Sequence, residues 1–239
     1  MGGFAPAFDV AAAREALQRV GRAHIPNALA EADASALEAD MHDARWMTAT
    51  IDQAGEVFRL NPAMASALDP GQRVRILDGV YTDAGEGFQY LYDKFSIDAV
   101  YAAGRPTPPS MAAFYEALNS PAWLDAFRAV TGDERVAFVD CQASRYRVGH
   151  LLTEHSDENP DNTRLYAYVL NLTRNWRIEW GGLLQFHGED DHVISAFTPR
   201  WNALNMFKVP QRHSVSMVTP AARADRLSLT GWLHKKSEQ

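Results

Sequence analysis

The hydrophobic periodicity of the chain changes near residue 135, and this change constrains the fold more than any other feature of the sequence. From Arg135 onward, short runs rich in β-branched and aromatic residues are separated by turn residues such as Gly188 and Pro199. The runs predicted as strands are Val136–Val148, Arg164–Leu172, Leu183–His187, Val193–Phe197, Asn202–Val209, Ser214–Val218 and Leu227–His234. Six or more short strands indicate a sandwich, a jelly roll or a small barrel.

The first half of the chain has a helical pattern instead. Asp9 can cap a helix that runs to Val20 and stops at Gly21. Further helices are predicted over residues 31–41, 110–118 and 121–130. A short strand is predicted at Ala23–Ile25, and the aromatic segment Phe88–Phe95 is typical of core or of a lid over a site, with core favoured because aromatic side chains are usually buried. We therefore expect helices packed outside a β-core.

Composition excludes several classes of protein. Of the 239 residues 46% are hydrophobic, which is enough apolar material to exclude disorder over most of the chain. The length predicts a single domain over residues 1–239, with 1–134 as mostly helical support and 135–239 as the β-core. A net charge of −7 with no long basic run argues against direct nucleic-acid binding.

The chain also lacks the signals of membranes and of oxidising compartments. No stretch of 18 apolar residues is present, so no membrane contact is expected, and the N-terminal residues do not resemble a signal peptide. Cys141 is the single cysteine and cannot form an intrachain disulfide or a thiolate zinc cluster. We expect a cytoplasmic protein. The oligomeric state is left open.

The strongest local motif is His155-Ser156-Asp157. Residues two apart on an extended strand point to the same face, so this imidazole and this carboxylate can hold one metal ion. A second histidine, His213, stands at the head of the predicted strand Ser214–Val218. Two histidines and one carboxylate form the facial triad of non-haem Fe(II) oxygenases. Because a His-x-Asp pair arises often by chance, a surface pair without a metal remains the alternative at this point.

A second motif gives the first more weight. If Arg226–Trp232 is a strand, Arg226, Ser228, Thr230 and Trp232 share one face and leucines occupy the other. An arginine that points into a barrel needs an anionic partner, because a buried unpaired guanidinium is costly. A dicarboxylate fits, since one carboxylate can be held bidentately by arginine while the other end chelates a metal.

In this order the motifs resemble the prolyl-4-hydroxylase-like branch of the 2-oxoglutarate/Fe(II) dioxygenases. The resemblance covers about residues 138–234 and is looser over the helical half. Segments 149–157, 180–186, 202–207 and 226–232 carry it. The pattern is most similar to the catalytic domain of the ribosomal prolyl hydroxylases, which share the Leu-Leu-Thr sequence before the motif and the closing Gly-Trp. The second barrel of those eukaryotic proteins is not expected in a chain of this length.

The resemblance implies a fold and a set of site residues. The fold is mainly β with flanking helices, a double-stranded β-helix (jelly roll, cupin-like) core with an N-terminal helical layer. The implied iron ligands are His155, Asp157 and His213. The residues implied to bind 2-oxoglutarate are Arg226, Ser228 and Tyr146. The chain departs from the family at Asn171, where many members carry a tyrosine, and the nearby Tyr166 and Tyr168 are expected to face the other way.

The implied activity is hydroxylation of a C–H bond, in a prolyl residue of a protein or in a small molecule, coupled to decarboxylation of 2-oxoglutarate to succinate. Fe(II), 2-oxoglutarate and dioxygen are the implied partners, with ascorbate as an auxiliary reductant. Two alternatives stay open. One is a non-catalytic sensor module that binds a metal or an organic acid on the same barrel. The other is a cupin-type hydrolase or isomerase, which would have no use for Arg226.

Overall fold

A computed structural model describes residues 4–5, 8–52 and 55–236. The helices are α1 (Val10–Val20), α2 (Glu31–Asp43), α3 (Pro62–Ala67), α4 (Pro70–Ala84), α5 (Ile97–Ala102), α6 (Pro109–Leu118) and α7 (Pro121–Thr131). The strands are β1 (Arg22–Ile25), β2 (Met47–Ile51), β3 (Val57–Leu60), β4 (Tyr90–Ser96), β5 (Phe138–Val139), β6 (Gln142–Tyr146), β7 (Leu151–His155), β8 (Arg164–Asn171), β9 (Leu184–His187), β10 (Val193–Phe197), β11 (Ala203–Lys208), β12 (His213–Val215) and β13 (Arg226–His234).

Two sequence expectations concern the ends and the surroundings of the chain. Residues 1–3 and 6–7, which belong to the segment on which the signal-peptide expectation rests, lie outside the described residues. Within the described ranges, none of the helices combines the length and the apolarity needed to cross a bilayer.

The strands form one antiparallel sheet that curls into a nearly closed, jelly-roll-like barrel. Its order is β1-β11-β8-β13-β6-β4-β7-β12-β9-β10, with β2 and β3 added beside β4 and β5 beside β13. Strand β7, which carries His155, lies between β4 and β12, and β13, which carries Arg226, lies between β8 and β6. Both motifs therefore belong to the wall of the same barrel. The predicted double-stranded β-helix with flanking helices is confirmed.

Local signals set the helix ends as predicted. The Asp9 carboxylate accepts a hydrogen bond of 2.9 Å from the Ala12 backbone N–H, which satisfies one of the unpaired donors of the first turn. Helix α1 then ends at Gly21, whose φ of 72° lies in the left-handed region that favours glycine. Helix α7 begins in the same way after Ser120, whose hydroxyl accepts from the Trp123 N–H.

Helices and sheet share one large core. Leu17, Leu37, Phe114 and Phe127 of the helices are buried in the same cluster as the leucines of β13. Each such side chain contributes about 1.5–3 kcal/mol when it leaves water. The opposite face of β13 is turned to the barrel interior, so the predicted alternation along this strand holds. The helical layer therefore fixes the strand that carries Arg226.

The first half contributes more strand than the sequence indicated. The segment Phe88–Phe95 includes β4, which hydrogen-bonds to β6 and β7 in the middle of the sheet, and β2 and β3 extend the sheet beside it. The predicted strand Val136–Val148 is two strands, β5 and β6. It breaks at Asp140 because that carboxylate accepts a hydrogen bond of 2.6 Å from the Trp232 N–H instead of continuing the ladder.

Helices α3 to α5 were missed, although two of them carry readable signals. Asn61 and Asp69 cap α3 and α4, each followed directly by a proline at the first helical position. Asp69 and Gln72 form a reciprocal capping box. These caps are the local features that could have identified both helices.

Gly231 sits where the chain has no room for a side chain, which gives a testable expectation for stability. A Cβ at this position would lie 2.3 Å from the Asp140 carbonyl oxygen and 2.5 Å from its carboxylate. We expect Gly231→Ala to lower the free energy of unfolding by about 3 kcal/mol in urea denaturation. Gly79→Ala is the control, because Gly79 lies within α4 with no atom near its Cβ, and it should be neutral or stabilise by up to about 1 kcal/mol. Equal effects of the two substitutions would contradict this explanation.

Candidate metal centre and adjoining cavity

The barrel brings the three predicted ligands together. His155 is the last residue of β7 and pairs in register with His213, the first residue of β12. Asp157 lies between the two imidazoles, with Oδ1 3.3 Å from Nε2 of His155 and Oδ2 3.4 Å from Nε2 of His213. One ligand atom from each of the three residues lies within 4.8 Å of the others. This spacing suits a single metal ion.

Both imidazoles are oriented by the backbone. Nδ1 of His155 lies 3.0 Å from the Thr153 carbonyl oxygen, and Nδ1 of His213 lies 2.7 Å from that of Gln211. A carbonyl only accepts, so each Nδ1 carries the proton and donates it. Nε2 of each imidazole thereby faces Asp157, and it is the atom that would bind a metal ion.

Asp157 reaches this position by a route that differs from the prediction. The strand ends at His155, and the backbone of Asp157 has a φ of 64°, in the left-handed region that aspartate tolerates better than most residues. The guanidinium of Arg164 donates a hydrogen bond of 3.1 Å to the Asp157 carbonyl oxygen. The expectation of two side chains on one face of an extended strand is thus wrong in its geometry, because a turn and not strand alternation places this carboxylate.

The carboxylate of Asp157 is held in its charged form. Burial opposes ionisation, but the hydrogen bonds with His155 and His213 outweigh it and hold the pKa of Asp157 well below its usual range. The cluster therefore offers one negative charge and two imidazole nitrogens. This donor set suits Fe(II), and it also accepts other first-row divalent metals.

A cavity of about 530 Å³ adjoins the cluster. Arg226 lines it and is only 2% exposed. Its side chain forms no ion pair with any described residue, and its Nε has no hydrogen-bond partner among them. Burial lowers the pKa of Arg226, but arginine still stays protonated in proteins. A buried cation without a counter-ion in the wall of a cavity calls for an anionic ligand there.

Tyr146 lies beside this arginine. The two residues are register partners, and the Arg226 guanidinium carbon lies 5.0 Å from the centre of the Tyr146 ring. The ring also stacks on Tyr92, with centroids 5.2 Å apart and planes 14° from parallel. Burial raises the pKa of Tyr146 far above its usual range, so the phenol keeps its proton and can donate it to a ligand oxygen.

Ser228 lies on the predicted face of β13 but does not itself line the cavity. It is fully buried, and its hydroxyl lies 3.0 Å from that of Ser144. Ser144 does line the cavity, and sequence reasoning missed it because it lies on β6, outside the motifs. Ser228 therefore adjoins the cavity through Ser144, and its contact with 2-oxoglutarate stays a prediction.

Strand β8 offers aliphatic side chains to the interior. Ala167 and Val169 belong to the apolar cluster inside the barrel, whereas Tyr166 and Tyr168 belong to the core beneath the helices. The Tyr168 hydroxyl donates to the Asp140 carbonyl oxygen at 2.9 Å. Both tyrosine side chains pack in this core, and Tyr168 also borders the cavity. Asn171 is buried outside the cavity lining and donates to the Ala203 carbonyl oxygen.

Aromatic residues of the β4 region form a wall that the sequence did not assign to the site. Phe88, Tyr90 and Tyr92 alternate along the chain and all line the cavity. The Phe88 ring lies 5.7 Å from that of His155, at the end of the cavity where the metal ligands lie. Burial raises the pKa of Tyr92 to about 12. The period-2 aromatic pattern could have identified these three side chains as one face of a strand, although it does not show what that face contacts.

His150 gives a prediction on stability and pH. The side chain is buried, and burial lowers its pKa from 6.5 to about 4, against the opposing effect of Asp93. The unfolded chain takes up a proton as the pH falls through 6.5, whereas the folded protein does so only near 4. The stability present above pH 6.5 is therefore lost as the pH falls towards 4. Between about pH 7 and pH 5, the wild type should lose about 2 kcal/mol of unfolding free energy more than His150→Gln does. If the wild type and His150→Gln lost the same unfolding free energy between the two pH values in urea titrations, this assignment would be contradicted.

Part of the chain is similar in sequence to known proteins. Residues 141–234 match the sequence model of the 2OG-Fe(II) oxygenase superfamily. The chain is 33% identical over 112 residues to prolyl 3-hydroxylase OGFOD1 of Xenopus laevis, an alignment that covers 44% of this chain. It spans only 21% of the length of that relative.

Solved structures share the fold. A Pseudomonas putida prolyl-4-hydroxylase superposes with a TM-score of 0.60 at 17% identity, over 95% of this chain and 100% of that one. A Trichoplax adhaerens prolyl hydroxylase, in complex with a hypoxia inducible factor oxygen degradation domain peptide fragment, superposes with a TM-score of 0.62 at 13% identity, over 93% and 87%. At these identities the similarity establishes the fold alone.

Proposed function

We propose that this protein, of which residues 141–234 match the 2OG-Fe(II) oxygenase superfamily, is an Fe(II)- and 2-oxoglutarate-dependent dioxygenase that hydroxylates a C–H bond. The substrate is a prolyl residue of a protein or a small molecule, and 2-oxoglutarate is decarboxylated to succinate. One observation carries the proposal. The buried cation of Arg226, which has no ion-pair partner among the described residues, lines the same cavity as a histidine, aspartate and histidine cluster.

In this proposal His155, Asp157 and His213 hold the iron. The Nε2 atoms are oriented by backbone carbonyls and Asp157 is ionised, so the three donor groups already face one position suited to a divalent cation. With three protein ligands, a bound iron would retain positions for 2-oxoglutarate and dioxygen. It would supply activation of dioxygen, coupled to oxidation of the co-substrate.

Arg226 would hold the distal carboxylate of 2-oxoglutarate. A planar guanidinium matches a carboxylate bidentately, and the low exposure of Arg226 keeps water from competing. Tyr146 donates its phenolic proton to the same ligand, and Ser144, held by Ser228, adds a hydroxyl beside it. A cupin-type hydrolase would leave this buried arginine without a role.

The metal-ligand end of the cavity supports a compact apolar substrate. Phe88, Tyr90 and Leu152 line it, and such a surface packs well against a pyrrolidine ring. All three of the similar proteins described above are named prolyl hydroxylases, and one of the two solved structures holds a peptide fragment. We propose a prolyl residue first and a small molecule second.

The proposal also covers the domain organisation, the location in the cell and the reductant. The chain would act as a single domain, with 1–134 supporting the β-core 135–239. We propose a cytoplasmic location, because the cysteine is unpaired and buried, and ascorbate as the reductant that keeps iron in its ferrous state.

A comparison of cells with and without the gene tests the substrate. Mass spectrometry of their proteins and metabolites should reveal a species that gains one oxygen only when the wild-type protein is present. Cells that express His155→Ala should lack the added oxygen. The same oxidised species in all three samples would contradict the proposed activity.

A further inference from the structure

The strand that carries the distal histidine pairs on both sides. All three residues of β12 pair in register with β9, whereas its pairing with β7 shifts register between His213 and Val215. A metal site needs both imidazoles at a fixed separation. The side of β12 that faces β7, where His155 lies, is therefore the one at which side-chain contacts matter most.

Arg212, next to the distal histidine, makes such contacts. Its Nε donates to the Glu154 carboxylate at 2.8 Å, and its Nη2 contacts the second oxygen of the same carboxylate. Nη2 also lies 2.5 Å from the Asp191 carboxylate, and Nη1 donates to the Gly188 carbonyl oxygen at 2.7 Å. One guanidinium thus joins β7, the residue before β12 and the turn between β9 and β10.

The placement of this pair along the chain links it to the metal ligands. Glu154 directly precedes His155, and Arg212 directly precedes His213. Neighbouring residues of extended backbone point to opposite faces, so the imidazoles face the cavity while the ion pair lies on the outside of the same two strands. A change in the distance between these two strands therefore alters both the separation of the imidazoles and the geometry of the Arg212–Glu154 ion pair.

We propose that Arg212 is a positioning residue that fixes the separation of His155 and His213, and thereby sets the affinity of the centre for its metal. The inference rests on the proposed function for the identity of the metal. It assigns a role to the acidic turn at residues 187–192 as well, because Asp191 serves as a partner of Arg212.

Because the ion pair is partly exposed, its removal is expected to affect metal affinity and global stability to different degrees. Side chains of Arg212 and Glu154 are 36% and 40% exposed, and exposed ion pairs contribute little to global stability. Outer contacts that orient metal ligands, in contrast, change metal affinity by about 10- to 100-fold. Removal of Arg212 should weaken metal binding far more than it weakens the fold.

The test compares Arg212→Met with the wild type in calorimetric titration of metal-free protein with Co(II), a redox-stable substitute for Fe(II). We expect the dissociation constant to rise about tenfold, with a urea midpoint shifted by about 0.4 M or less. Arg212→Lys should recover part of the affinity, because lysine keeps the charge but not the bidentate geometry. Glu154→Gln combined with Arg212→Met should be no weaker than the single variant, since both remove the same contact.

Arg174→Met is the matched control. Arg174 also binds two glutamates, Glu31 and Glu38, and it is 42% exposed, but it lies outside the metal cluster. Its variant should bind Co(II) as the wild type does. Wild-type affinity in Arg212→Met, or a loss of affinity matched by an equal loss of stability, would overturn the positioning role. Failure of the wild type itself to bind metal would contradict the proposed function instead.

Discussion

Replacement of Arg226 by methionine is expected to abolish 2-oxoglutarate binding while the ligand-free protein becomes as stable as the wild type or more so. The guanidinium is buried without an ion-pair partner among the described residues, so an apolar side chain of similar length removes an uncompensated desolvation cost. Comparable replacements of buried charges stabilise proteins by about 1–4 kcal/mol. Loss of one partner of a buried charge pair costs about 3–5 kcal/mol, so affinity should fall more than about a hundredfold.

Calorimetric titration of manganese-loaded protein with 2-oxoglutarate measures this effect without turnover, and urea denaturation of the metal-free protein measures stability. Arg226→Lys keeps the charge but cannot bind a carboxylate bidentately, and it should show an intermediate affinity. Retained affinity in Arg226→Met would remove this residue from the co-substrate site. A large loss of stability would show that the guanidinium already has a partner in the fold.

Replacement of His213 by alanine is expected to remove the metal. This residue supplies one of three ligands, and loss even of an outer contact typically weakens metal binding 10- to 100-fold, so loss of a ligand should exceed a hundredfold. Asp157 would also lose one of its two imidazole partners, and its pKa should rise towards the ordinary range. Metal content after dialysis against iron, together with Co(II) titration, measures the change.

His192→Ala provides the comparison. His192 has a side chain 82% exposed in the turn between β9 and β10, and it does not belong to the ligand cluster. It should bind metal with wild-type affinity. Equal metal binding by His213→Ala and His192→Ala would contradict the proposed ligand set.

Short-range signals in the sequence predicted part of this molecule well. The cap at Asp9 and the stop at Gly21 depend on neighbouring residues, and α1 has the predicted bounds. The face pattern of β13 follows from strand alternation and placed Arg226 in the interior. The sequence also predicted four site residues, because each belongs to a motif that can be recognised along the chain. They are His155, Asp157, His213 and Arg226.

Features that depend on distant pairing could not be predicted in this way. Ser144 and Ser228 meet because β6 and β13 pair in one register, 84 residues apart in sequence. Tyr90 reaches the cavity because β4 inserts beside β7. The turn at Asp157 departs from strand alternation, and a positive φ at a non-glycine residue has no strong local signal. In each case the tertiary pairing, and not local preference, decides the position.

The formation of succinate from 2-oxoglutarate by iron-loaded protein in air tests the central claim most directly. With a panel of proline-containing peptides and small molecules present, we expect more than one succinate per protein, with formation dependent on iron and oxygen and absent in His213→Ala. Binding of 2-oxoglutarate without any succinate across the panel would contradict the account and would identify the barrel as a non-catalytic sensor of an organic acid.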